Sequence, residues 1–283
     1  LIHMAHLIEK NFGAIKSAEI EIKKYNFFIG HTSSGKSTIA KLLAIFNNSV
    51  FWAIKEGDFK GFFKLLEKYN INFDFKPSTI IKYSNDKYYW EIGENKFHSN
   101  YKDADLMEMA STSESYDFIL KFIEKKESES SLKDLIDALK NSVKDSKLKK
   151  DDTFFPLFIK PLLMSIIYEE CIPVYIPAER LLISTFSNSI FSLLQAGASI
   201  PDCIKDFGSL YEKARTQYKN IDIDILNIQV SFNNNGDTIY LTNEHKELKL
   251  SQASSGIQSI IPLWTVFNQY VESKKKQMLV IEE

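Results

Sequence analysis

Gly30-His31-Thr32-Ser33-Ser34-Gly35-Lys36-Ser37 fits the pattern G-x-x-x-x-G-K-[ST] at every fixed position. Glycines at those places let successive backbone N–H groups turn inward around phosphate oxygens. A lysine at 36 reaches the β- and γ-phosphates, and a hydroxyl at Ser37 suits a divalent metal. The ligand class this names is a nucleoside triphosphate with Mg²⁺. The flanks agree. Residues 25–29, Tyr25-Asn26-Phe27-Phe28-Ile29, read as a short apolar strand running into the loop. From Thr38 a helix is expected, apolar at 39, 42, 43 and 46. Strand, glycine-rich loop and helix together aim a helix N-terminus at phosphate. The candidate nucleotide-binding residues are Gly30, His31, Thr32, Ser33, Ser34, Gly35, Lys36, Ser37 and Thr38. Lys36 is also a catalytic candidate and Ser37 a metal candidate.

Composition bounds the rest. The 283 residues are 44% hydrophobic and 25% charged, an ordinary globular balance. A net charge of −2 supplies no global attraction to nucleic acid. Cys171 and Cys203 form no C-x-x-C pair and read as reduced, buried thiols of a cytoplasmic protein. No uncharged apolar run approaches the ~18 residues of a membrane span. Leu1-Ile2-His3 ahead of Met4 reads as a cloning remnant. The five histidines show no metal-ligand spacing. Of 35 lysines and arginines only Arg180 and Arg215 are arginine, so each poses a question about fork-shaped recognition.

Along the chain, strands are expected at 6–12 and 18–22, a helical stretch over 38–69, and strands at 72–75, 79–83 and 88–92. From 103 to 170 the pattern is helical and more charged, with a joint at 124–131. A strand follows at 172–177 and a helical stretch at 181–219. Asn234-Asn235-Gly236-Asp237, between apolar runs at 227–232 and 238–241, marks a hairpin. The organisation expected is one composite domain: an N-terminal lobe over 4–100 with the phosphate loop, a mainly helical insertion over 101–225 holding one core strand near 172–176, and a closing segment over 226–283. The lysine runs at 147–150 and 274–276 read first as solvated helix ends, second as contacts to DNA phosphates.

Two further features complete a nucleotide site. Gln277-Met278-Leu279-Val280-Ile281-Glu282-Glu283 is an apolar strand ending in two acids. Beside a phosphate loop, Glu282 is the metal-holding acid and Glu283 the catalytic one, orienting and deprotonating the attacking water. Ser254-Ser255-Gly256-Ile257-Gln258 precedes an apolar-periodic helix, with Ser255 expected as its N-cap and a positive helix end suited to an anion. Pro177-Ala178-Glu179-Arg180 follows the strand at 172–176, and Arg180 has two readings, a contact to phosphate or to the partner head and a surface salt bridge with Glu179 or a neighbour.

Phosphate loop, long insertion, Ser-Gly-x-Gln helix start, then a strand with two acids is an order that resembles the ABC-class ATPase heads of SMC, RecF and OLD proteins and the "AAA family" relatives of OLD. Leu7 through Thr38 resembles their opening, with Asn11-Phe12 in the first strand. Ser255-Gly256-x-Gln258 resembles the Ser-Gly-Gly-Gln part of the ABC signature, with Ile257 at its second glycine. Thr32 and Ser33 depart from the usual loop, where Asn and Gly stand. Glu282-Glu283 is the OLD-like form of the acid pair. The resemblance covers both ends of the chain; the middle, about 47–225, is matched only by general layout.

The resemblance implies an α/β P-loop NTPase of ABC-ATPase type, with a mixed sheet, an antiparallel N-terminal β part and a helical insertion. It implies ATP and Mg²⁺ as cofactors and an ATP-dependent homodimer in which Ser255 and Gly256 act on the partner's ATP. DNA and an effector nuclease or partner protein are the further partners implied, in DNA maintenance and repair or anti-phage defence. The family's D-loop and switch histidine follow the acids, whereas the sequence ends at Glu283. The expectation is therefore a piece of a longer protein that hydrolyses ATP poorly alone. The alternative is a non-hydrolysing ATP-gated clamp. A transporter subunit is disfavoured by the Asn-Phe opening and the Ser-Ser-Gly-Ile-Gln signature, and a GTPase by the lack of Asn-Lys-x-Asp.

Overall fold

A computed structural model describes residues 5–48, 51, 54, 57–85, 88–93, 96–100, 173–185, 195, 197, 199–233, 236–272 and 278–283. The helical insertion expected from 101, through residue 172, lies outside them, as do Cys171 and the two lysine runs. The chain divides into two compact units, Leu1–Leu66 with Ile71–Pro173, and Glu67–Asn70 with Val174–Glu283.

The first unit is built on an antiparallel sheet of order β2-β1-β3-β4-β5. Its strands are β1 (Ala5–Phe12), β2 (Ile15–Ile22), β3 (Ile80–Ser84), β4 (Tyr89–Gly93) and β5 (Lys96–Ser99). Period-two alternation puts Leu7, Ile81, Tyr83, Trp90, Ile92 and Phe97 in the core. Leu7 pairs with Tyr83, and Ile92 with both Ile81 and Phe97. Helices α1 (Lys36–Phe46) and α2 (Phe59–Lys68) supply the other apolar face, through Ile39, Leu42, Leu43 and Phe46 and through Phe62, Leu65 and Leu66. Phe46 stacks on Tyr83 at 4.8 Å and meets Phe51 edge-on at 4.7 Å.

Three expectations for this unit are corrected. The helix expected over 38–69 is interrupted. Asn47 closes α1, its amide and side chain both donating to the Leu43 carbonyl. Asp58 opens α2, its carboxylate accepting from the Gly61 N–H at 2.9 Å. Residues 72–75 are no strand: Asn72–Asp74 forms a 3-10 turn whose last carbonyl accepts from the Gly13 N–H. Residues 25–29 join no ladder among the described residues. The Asn26 side chain bonds both the N–H and the carbonyl of Lys23, closing a local turn in place of strand pairing. Phe27 and Ile29 stand 85% and 96% exposed.

In the second unit β6 (Val174–Ile176) and β11 (Leu279–Ile281) pair in parallel, in the register Tyr175 with Val280. β6 leads through a 3-10 turn (Ala178–Arg180) into α3 (Leu181–Thr185). Helix α4 (Asp202–Gln217) buries Cys203, Ile204, Phe207, Tyr211 and Ala214. A second antiparallel sheet has the order β10-β9-β8-β7: β7 (Asn220–Ile223), β8 (Ile228–Ser231), β9 (Thr238–Leu241) and β10 (Lys246–Lys249). The hairpin expected around Gly236 is the β8–β9 pair, with Val230 opposite Ile239. Ile221, Ile223, Ile228, Val230 and Ile239 form its apolar face, against which Ile257, Ile260, Ile261 and Trp264 of α5 (Ser255–Glu272) pack. Among the described residues no helix is long and apolar enough to cross a membrane.

Candidate functional site

The phosphate loop belongs to the first unit. Its backbone takes two left-handed turns, at Ser33 (φ 62) and Gly35 (φ 94). Gly35 is irreplaceable on two counts. Its φ disfavours a side chain, and an added Cβ would collide with Ile15 of β2. That contact shows why the loop sits where it does: β2 presses on the residue that starts α1. Helix α1 opens at Lys36 with no side-chain cap and no acid in its first turn, so its leading N–H groups keep their positive end for an anion.

Lys36 folds back over the loop. Its ammonium donates to the carbonyls of Gly30 at 2.9 Å and His31 at 2.7 Å, with Ser34 Oγ at 3.5 Å. The Ser34 N–H donates to the His31 carbonyl. His31, Thr32, Ser33, Ser34 and Ser37 are exposed, Thr38 half-buried. A curled loop with a lysine poised above it and a bare helix end beneath fits the triphosphate this motif binds. Ser37 is exposed in the first turn of α1, where its hydroxyl is open to a ligand.

The acids and the signature helix belong to the second unit. Both acids follow the carboxyl end of β11, beside the turn that follows β6, the edge where open α/β sheets place ligands. Glu282 is 5% exposed, and its N–H donates to the Ile176 carbonyl. Burial, then the Glu282 carboxylate, pushes the Tyr175 phenol far above the ordinary tyrosine range. Glu282 is thus an acid with its carboxylate turned inward, the kind of group a divalent metal would stabilise. Glu283 differs, with its side chain 78% exposed and one oxygen 2.6 Å from Arg180 Nη2.

Arg180 answers the question its rarity raised. It is 5% exposed and hydrogen-bonded within its own unit, so the salt-bridge reading holds, with Glu283 rather than Glu179 as the partner. Nothing in the sequence joined residues 103 positions apart.

At the start of α5 one expectation is corrected. The cap is Ser254, not Ser255: Ser254 Oγ accepts from the Ile257 N–H at 3.4 Å, and its carbonyl accepts from the Gln258 N–H. Ser255 is the first helical residue, and it and Gly256 are exposed, with open space around Gly256. The Gln258 side chain braces the preceding turn by donating to the carbonyls of Ser251 and Ala253. Among the described residues no group of three or more His, Cys, Asp or Glu side chains that could hold a metal ion assembles.

Sequence comparison adds one match. Residues 5–158, more than half of the chain, match the AAA ATPase domain family. No match is found among curated proteins or among solved structures. The matched span contains the strand pair β1–β2, the loop pressed against Ile15 and all of α1, so the geometry and the family agree on the same segment. The chain belongs to the AAA ATPase domain family and is a P-loop NTPase of α/β fold with an ATP-binding function.

Proposed function

We propose that this chain is an ATP-hydrolysing head of the ABC type, resembling the SMC, RecF and OLD-like heads. ATP-dependent pairing of two heads would serve DNA maintenance and repair or defence against phage, through DNA or an effector partner. The observation that carries the reading is the phosphate loop: Lys36 resting on the Gly30 and His31 carbonyls above an uncapped helix end free of acids. The exposed Ser255-Gly256 step at the start of α5 supports the pairing, because an 18-residue helix offers its N-terminal N–H groups to an anion brought by another molecule.

In this reading Lys36 neutralises the β- and γ-phosphates, Ser37 of the first unit and Glu282 of the second are the residues that would hold Mg²⁺, and the metal would offset charge on the transferring phosphoryl group. Glu283 orients the attacking water and takes its proton. Ser255 and Gly256 bind the γ-phosphate held by the second head.

ATP turnover measured against protein concentration tests this, with Lys36→Ala as the control. The expected result is a rate per molecule that rises with concentration and disappears in the variant. Tight ATP binding without turnover, lost in the same variant, would replace this reading with an ATP-gated clamp.

A further inference from the structure

We propose that Arg180 is a positioning residue for Glu283, fixing the direction of the carboxylate assigned above to the attacking water; the inference rests on that assignment. The guanidinium makes four hydrogen bonds. Nε donates to the Ser259 carbonyl at 3.2 Å, Nη1 to the carbonyls of Pro177 at 3.1 Å and Glu282 at 2.7 Å, and Nη2 to Glu283 Oε1 at 2.6 Å. The first three partners are main-chain atoms of three separate elements: the turn after β6, the residue after β11 and the first turns of α5. The backbone therefore sets the plane of the fork, and the direction of Nη2 follows from it.

Glu283 needs such a guide. Its side chain is 78% exposed and by itself would sample several rotamers in water. A base must lie within hydrogen-bond reach of the proton it takes, and a misplacement of about 1 Å costs roughly 100-fold in rate. Lysine could not do the same work. Its single ammonium is a point charge without a planar fork, and it could not span three carbonyls and a carboxylate in fixed directions. The chain spends one of its two arginines here. The bond to Ser259 also ties the carboxylate to the helix that begins with Ser255 and Gly256, so both chemical elements of this unit share one fixed support.

The test is a cycle of Arg180→Lys, Glu283→Gln and the double variant, reading ATP affinity with a fluorescent ATP analogue and turnover separately. Expected is a loss of turnover on the order of 10- to 100-fold for Arg180→Lys with analogue affinity unchanged. In the Glu283→Gln background the same change should cost nothing further. Arg180→Gln, which keeps donors for the carbonyls, should repeat the pattern. An equal loss in both backgrounds, or a loss of analogue binding, would overturn the proposal. So would failure of both Arg180 variants to fold, which would assign the residue to stability alone. A Glu283→Gln protein that turns over ATP normally would instead remove the role given to Glu283, whatever Arg180 does.

Discussion

Glu9 lies on β1 at an inward position between Leu7 and Phe12, and it is 0% exposed. Neither carboxylate oxygen has a hydrogen-bond partner among the described residues. Burial first, and the charge of Asp74 second, push its carboxyl up from 4.5 to about 8. The folded protein thus holds a proton between those values that the unfolded chain has released. By linkage this stabilisation is complete below the unfolded value near 4.5 and is lost as pH rises toward 8, a loss of up to roughly 4–5 kcal/mol at the full shift. Glu9→Gln should remove that slope. Urea denaturation of both proteins at several pH values between 5 and 8 would show the two stabilities diverging with pH. Parallel curves would mean that Glu9 is ionised in the folded state. The sequence concealed this residue, because an acid inside an alternating run reads as a solvent position until its neighbours on both sides are known.

At the scale of elements, α5 contains Pro262, which has no N–H to offer the carbonyl of Gln258 four residues earlier. That carbonyl is taken up by Ser184, a buried hydroxyl on α3, at 2.7 Å. One short helix thereby repairs a defect in a long one. Ser184→Ala should cost about 1–3 kcal/mol, the price of an orphaned buried acceptor. In a Pro262→Ala background, where the helix supplies its own N–H, the same change should cost much less. Chemical denaturation of the four proteins measures this coupling, and additive losses would refute it.

Elements are legible in the sequence where their signal is local. The phosphate loop, β1, the β8–β9 hairpin and α5 each carry their pattern within a few residues. β10 is not legible, because Lys246-Glu247-Leu248-Lys249 offers one apolar residue, Leu248, to the core. The break between α1 and α2 is hidden, because Asn47 and Asp58 cap through side-chain bonds while the apolar spacing continues across the gap. Ser254 and Ser255 were indistinguishable as caps by residue type.

For the molecule as a whole, each unit depends on its own apolar core. In the first, Phe46 lies fully buried among Tyr83, Phe51 and Phe62. Phe46→Ala should lower stability by about 3–5 kcal/mol. Native-state hydrogen exchange would register the loss as weakened protection of β1, β3 and β4; unchanged protection there would contradict it. Which aromatic residues meet in that core was not legible from sequence, since the pairing of β1 with β3 joins residues some seventy positions apart.

Lys36 is supported by two carbonyl dipoles and one hydroxyl, and among the described residues no carboxylate pairs with it. Among the described residues, then, there is no internal counter-ion on Lys36 for an incoming triphosphate to displace. The protein's net charge of −2 adds no long-range pull of its own. Capture of nucleotide becomes a short-range event, weakening with ionic strength as the screening length contracts from about 10 Å at 0.1 M salt to about 3 Å at 1 M.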